Sequence, residues 1–231
     1  PKLVDEILDW VSTAVHYGDQ DENMGFLPSD QKKAEQKIGR KFAIARIFNT
    51  VKDCGAIRAL SEDPKLWEIA KQYIGCTPQF MGVHMRWSYP VEVTRSDQDT
   101  KLAQVFHTDI DDYKFLKFFF YLTDVDEYTG PHTCVKGSHK KKSLIDQYRG
   151  PRRYSDMQVE QYWGKENVLA ITGAKGTGFA VETFAVHKGT LPIRRPRLLL
   201  ELEYGFFDYS IKGYRHKHDD RVPLMLRNIL D

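Results

Sequence analysis

The sequence predicts a mainly β protein with helices: a double-stranded β-helix, or jelly roll, with N-terminal helices packed on one sheet. Two observations predict it. Apolar residues recur at helical spacing in the first third of the chain. From about residue 79 the period changes to two, and turn signals then separate a series of short β-prone runs. Many strands after a helical start favour two stacked sheets with helices on one outer face.

Each element has its own signal. Leu3, Ile7, Trp10, Val11 and Ala14 mark an amphipathic helix over about 2–16. Gly18 to Asn23 is a polar loop, and Asp30 to Lys37 is a charged, helix-compatible stretch. Asp63-Pro64 reads as an N-cap with proline in the first turn, and Gly75 closes that helix. In Phe80 to Tyr89, Met81, Val83, Met85, Trp87 and Tyr89 share one face, and Gly82, His84, Arg86 and Ser88 share the other. That polar face either meets water or lines a wet pocket inside a barrel. Further strands are expected at 115–122, 168–172, 177–182, 185–187 and 197–206, separated by Gly130-Pro131, Gly137-Ser138, Gly150-Pro151, Gly173 and Gly176. The expectation is a single domain: a helical part over about 1–78, a jelly-roll core over about 79–210, and a tail or helix over 211–231.

Composition narrows the function classes. With 231 residues, 41% hydrophobic and 13% aromatic, the chain can build a substantial core. No run of 18 apolar residues argues for a membrane span, and no signal-peptide pattern opens the sequence. Three scattered cysteines, Cys54, Cys76 and Cys134, fit a reducing, cytoplasmic setting better than a disulfide framework. The net charge is +2, yet Lys136 with Lys140 to Lys142, Arg149 with Arg152 and Arg153, and Arg194 with Arg195 and Arg197 form basic clusters. Such clusters are solvated faces or an entrance that attracts an anionic small molecule. No nucleic-acid-binding motif accompanies them.

The chemistry concentrates in His107-Thr108-Asp109, with His187 and Arg197 far downstream. A His-x-Asp triplet alone is weak evidence, because a chain of this composition holds about one by chance. A second copy, His218-Asp219-Asp220, lies in a charged tail with no later histidine. The copy at 107 precedes a β-prone run, and a third ligand follows on a later strand. Residues two apart project to one side of an extended segment, so one strand end can present both ligands. Two imidazoles and a carboxylate suit Fe(II) while leaving positions open. Arg197 offers a planar fork suited to a carboxylate, and Arg195 is the alternative in that role.

The region from about 104 to 204 resembles the phytanoyl-CoA dioxygenase-like branch of the Fe(II)/2-oxoglutarate-dependent oxygenases, which share a cupin-like jelly roll. The likeness rests on Phe106 to Asp109, Tyr121 to Asp126 leading to Gly130-Pro131, Val135 to Lys140, Val186 to Thr190, and Pro196 to Leu198. It implies Fe(II) held by His107, Asp109 and His187, 2-oxoglutarate as co-substrate with its far carboxylate on Arg197, and O2 as oxidant. Succinate and CO2 would leave as a C–H bond of a small or medium, anionic metabolite is hydroxylated. An aspartate at position 109, where related halogenases carry a small residue, points to a halide-free oxidation.

Other residues carry two readings. Lys117 is a strand-edge lysine or a second anion contact for the co-substrate. Tyr121 and Thr123, on its face, are hydrogen-bond partners for 2-oxoglutarate or substrate, and Thr190 is a turn residue or a helper to the keto acid. His84 and Arg86 are solvent-facing or substrate-facing. His132 and His139 read as structural or exposed. The segment 139–167 is expected to cover the site. Val222 to Leu230 is apolar enough to pack on the domain or on a second subunit. The competing function classes are a cupin-like metal-binding protein without redox chemistry, and a metal-dependent isomerase or hydrolase that consumes no 2-oxoglutarate.

Overall fold

The computed structural model describes residues 2–91, 105–140, 153–207 and 228–230. The triplet at His218, residues 141–152 of the expected cover, and all of the 211–231 tail except 228–230 lie outside them.

The N-terminal third is less helical than its periodicity predicts. Helix α1 (Lys2–Val11) stops short of residue 16. The hydroxyls of Ser12 and Thr13 turn back onto the carbonyls of Asp9 and Trp10, and His16 opens strand β1 (His16–Gly18). Strands β2 (Gly25–Phe26) and β3 (Ile44–Ile47) flank α2 (Gln31–Ile38). Every residue of β3 is buried, so it shows no alternation for a sequence pattern to detect. Helices α3 (Thr50–Asp53), α4 (Gly55–Ser61) and α5 (Pro64–Ile74) follow. At α5 the caps are those the sequence indicates. The Asp63 carboxylate accepts from the Lys65 N–H, and Gly75 takes a left-handed φ of 91°.

The remaining strands are β4 (Gln79–Ser88), β5 (Phe106–His107), β6 (Phe115–Tyr121), β7 (His132–Val135), β8 (Arg153–Tyr154), β9 (Val168–Ile171), β10 (Gly178–Val181), β11 (His187–Gly189) and β12 (Arg197–Gly205). They form two antiparallel sheets. The larger has the order β10-β6-β12-β4-β3-β1-β2, and the smaller β8-β5-β11-β7-β9. From β4 to β7 successive strands alternate between the sheets. β9 stays beside β7, and β10 to β12 alternate again. This winding is the expected double-stranded β-helix, so residues distant in sequence face each other across one interior.

Strand β12 sets the two faces of the larger sheet. Leu198, Leu200, Leu202 and Tyr204 point outward into a core with Ile7, Val11, Ile57, Ala70 and Ile74 of the helices. Each of these leucines is fully buried, worth roughly 1.5–3 kcal/mol apiece relative to exposure. The Tyr204 hydroxyl donates to the Ser61 carbonyl at 2.8 Å, tying sheet to helix layer. Arg197, Leu199, Glu201 and Glu203 alternate onto the inner face. By register His84 lies opposite Glu201, Arg86 opposite Leu199, and Ser88 opposite Arg197. The polar face of β4 therefore lines the interior, and its apolar face meets the helices. Helix α6 (Asp156–Trp163) covers the outer face of the smaller sheet, where Val159 packs with Phe106, Val135, Tyr154 and Val186. Its sequence signal is a capping box, Ser155 with Gln158. Among the described residues no helix is long and apolar enough to cross a membrane.

Candidate metal centre and anion pocket

His107 ends β5, and His187 begins the neighbouring strand β11 as its direct partner in register. Asp109, just past β5, is held by its N–H to the Thr183 carbonyl at 3.0 Å. The His107 Nε2 lies 3.6 Å from one Asp109 carboxylate oxygen, and the His187 Nε2 lies 3.5 Å from the other. All three ligand atoms fall within 4.8 Å of one another, the one such cluster found among the described residues. Cis donors about 2.1 Å from a shared ion sit about 3 Å apart, so this spacing fits a facial site.

The ring orientations carry further information. His107 Nδ1 lies 2.8 Å from the Val105 carbonyl, and His187 Nδ1 lies 2.9 Å from the Ala185 carbonyl. A carbonyl only accepts, so each Nδ1 carries a proton, and each ring turns its Nε2 toward Asp109. Burial, partly opposed by Asp109, lowers the pKa of His187 to about 4 and keeps it neutral. Burial resists ionisation of Asp109, but Lys117, His187 and His107 outweigh it and hold the carboxyl well below the usual range. Two imidazole Nε2 atoms and a carboxylate thus converge on one point, an arrangement that suits a cation.

Lys117 lies beneath this cluster. Its ammonium is 2.9 Å from Asp109, 2.8 Å from Asp111, 3.3 Å from Glu201 and 3.8 Å from Glu203. Burial disfavours its charge, yet the four carboxylates raise its pKa well above the ordinary value. Burial raises the pKa of Glu203 to about 8. Lys117 is the register partner of Glu203, six residues along β12 from Arg197. At about 3.3 Å per residue the two backbone positions stand some 20 Å apart along the strand. The Lys117 ammonium is thus placed among protein carboxylates.

Arg197 is 2% exposed. Its guanidinium donates to the Gly130 carbonyl and, at 3.3 Å, to Ser88 Oγ. Gly130 has φ of 78°, and a Cβ there would lie 2.6 Å from the Thr190 carbonyl, so the close approach of this turn needs glycine. No carboxylate among the described residues pairs with Arg197, and its Nε has no partner among them. Burial, reinforced by Arg86, lowers its pKa to about 10. Arg195, the alternative, is exposed and bonded to Asp126 at 3.1 Å.

The other sequence candidates are distributed as follows. His84 and the half-buried Arg86 face the interior, with His84 Nδ1 4.0 Å from Glu201. The Tyr121 hydroxyl donates to the Ile171 carbonyl at 2.7 Å and accepts from the His132 N–H at 2.9 Å, which ties the sheets together. Thr190 Oγ1 is 2.8 Å from Thr133 Oγ1, and the Thr123 hydroxyl accepts from the Leu198 N–H. His139 lies in the 136–140 turn, which Ser138 braces by accepting from the Val186 N–H at 2.7 Å. The sequence reading missed Asp111, Glu203 and His132. The first two were signalled by alternation with Asp109 and Arg197 on their own segments. His132, expected to be structural or exposed, opens β7 and is 4% exposed. Burial, then His187, Arg197 and Arg86, keep its imidazole neutral.

No protein-family profile matches the chain, and no curated protein sequence matches it. Solved structures do. SnoN, a non-heme alpha-ketoglutarate-dependent epimerase from nogalamycin biosynthesis, aligns with a TM-score of 0.53 at 15% identity, over 88% of this chain and 82% of that one. SnoK, a non-heme alpha-ketoglutarate-dependent carbocyclase from the same biosynthesis, gives 0.52 at 14% identity, over 93% and 91%. HygX from Streptomyces hygroscopicus with iron bound gives 0.52 at 14% identity, over 88% and 87%. At these identities the likeness is one of fold.

Proposed function

We propose that this protein is an Fe(II)- and 2-oxoglutarate-dependent oxygenase that hydroxylates a C–H bond of a small or medium metabolite. The observation that carries the reading is the pairing of the His107–Asp109–His187 cluster with a buried arginine that has no carboxylate partner among the described residues. An uncompensated buried cation is costly, so Arg197 calls for an anion in the working protein. A keto acid that chelates iron at one end and carries a carboxylate at the other meets both demands. A cupin-like binding protein, or an isomerase needing no keto acid, leaves Arg197 unexplained.

His107, Asp109 and His187 would hold the iron. When bound, iron and 2-oxoglutarate together supply O2 activation coupled to release of succinate and CO2. The protein's own residues position and protect. Val105 and Ala185 carbonyls fix both imidazole tautomers. Lys117 keeps Asp109 ionised and oriented. Arg197, already aimed by Gly130 and Ser88, takes the far carboxylate. Phe119, Tyr121, Val125, Val181 and Leu199 form a packed apolar wall between the sheets that excludes water. Arg86 and His84 face the same interior, which supports an anionic primary substrate. The neighbours' printed names span an epimerase and a carbocyclase, so the fold alone does not select hydroxylation; the carboxylate at position 109 supports a halide-free oxidation.

The test is anaerobic addition of Fe(II) and 2-oxoglutarate, followed by visible absorbance. A weak charge-transfer band, lost in Asp109→Ala and His187→Ala, is expected. A folded, iron-loaded protein with no band would exclude keto-acid chelation. Product analysis under oxygen then distinguishes hydroxylation from other outcomes.

A further inference from the structure

The ring of His132 lies buried beside the metal cluster with a polar atom that packing does not account for. It lies on the inner face of β7, with Gly189 of β11 and Ile171 of β9 as its register partners. It stacks on His187 with ring centroids 5.4 Å apart and planes 17° from parallel. Phe119 and Phe179 enclose it at 4.8 and 5.7 Å. Its Nε2 is buried and has no hydrogen-bond partner among the described residues. Such an atom is unfavourable in an aromatic slot that phenylalanine or leucine would fill at no polar cost. The ring is also within electrostatic reach of His187, Asp109, Arg197 and Arg86. A keto acid held between the metal cluster and Arg197 would lie within reach of this ring.

We propose that His132 is a binding residue for the keto acid, its Nε2 hydrogen-bonding the co-substrate between the metal end and the carboxylate held by Arg197. The inference rests on the oxygenase reading above. The interaction is a hydrogen bond that forms when the ligand enters.

The experiment compares wild type, His132→Phe and His132→Gln as Fe(II)-loaded proteins, titrated anaerobically with 2-oxoglutarate. The charge-transfer band reports occupancy, and Fe(II) affinity is measured separately. Phenylalanine keeps the stacking on His187 and removes the nitrogen. The expected result is unchanged Fe(II) affinity and a 2-oxoglutarate Kd raised about tenfold, the loss of one buried hydrogen bond to a charged ligand. Glutamine should recover part of that loss. As a check free of mutation, the His132 imidazole nitrogen resonances of zinc-loaded, 15N-histidine-labelled wild type should shift when 2-oxoglutarate is added. A wild-type band with His132→Phe within twofold in 2-oxoglutarate Kd overturns this inference alone. So does a variant that changes only metal affinity or melting temperature, and so do unmoved resonances. Absence of a band in wild type overturns the inference together with the function.

Discussion

Replacing Lys117 with methionine tests whether this residue serves the protein's own carboxylates or the co-substrate. Methionine keeps most of the length of the side chain and removes the charge. The ammonium is 5% exposed and faces Asp109, Asp111, Glu201 and Glu203. Glu203 already favours its neutral form, and Asp111 is a quarter exposed, which screens its share. That leaves chiefly the buried Glu201, with Asp109 a fifth exposed beside it, deprived of their cation. Removing one partner of a buried pair costs about 3–5 kcal/mol. For a chain of this size, 1 kcal/mol corresponds to about 2–4 °C, so the metal-free variant should melt roughly 6–20 °C below wild type. A divalent ion bound at Asp109 supplies a countercharge, so the gap should narrow when metal is added. The assay is calorimetry of both proteins with and without zinc, beside 2-oxoglutarate titration of the iron-loaded forms. Unchanged melting of the metal-free variant, with a 2-oxoglutarate Kd raised tenfold or more, would refute the reasoning and return Lys117 to the co-substrate.

Three further outcomes are expected. Arg197→Met should weaken 2-oxoglutarate binding about 10- to 100-fold while costing the ligand-free protein little stability, since the guanidinium has no carboxylate partner among the described residues; a matching collapse in melting temperature would mean the arginine is structural. The metal-free protein should be most stable near pH 6.5. Burial lowers His16 and His187 to about 4 and His132 further, so their contribution is present above about 6.5 and lost as pH falls toward 4, while Glu203, raised by burial to about 8, contributes below 4.5 and loses that contribution as pH rises to 8. Urea midpoints at pH 4.5, 6.5 and 8 should peak in the middle, and a steady rise to pH 8 would contradict the assignment. Asp112→Ala should destabilise the protein by about 2–4 kcal/mol, because its carboxylate accepts from the N–H groups of Tyr113, Phe206 and Phe207; protection of the Phe206 and Phe207 amides from exchange should drop, and unchanged protection would show that the contacts are incidental.

Much of the architecture was legible in the residues themselves. The helix α5 caps, the alternation of β4 and β12, and the Gly130-Pro131 and Gly137-Ser138 turns depend on local rules, and local rules can be read from a single sequence. Strands β1, β2 and β3 escaped because two are very short and the third is buried throughout, so no period-two pattern marks them. Helix α6 was announced by Ser155 and Gln158 but was obscured by the charged stretch before it.

The site divides along the same line. Sequence alone nominated His107, Asp109, His187 and Arg197, because the spacing of ligands on a strand end and the chemistry of each side chain are local properties. Only the tertiary structure decided which way the polar face of β4 turns, since an alternating strand is equally compatible with water or a lined interior. It also turned Arg197 inward and Arg195 outward, gathered four carboxylates from two separate segments around Lys117, and enclosed His132 against His187. Those outcomes depend on the pairing of strands far apart in sequence, where register between two sheets sets the distances.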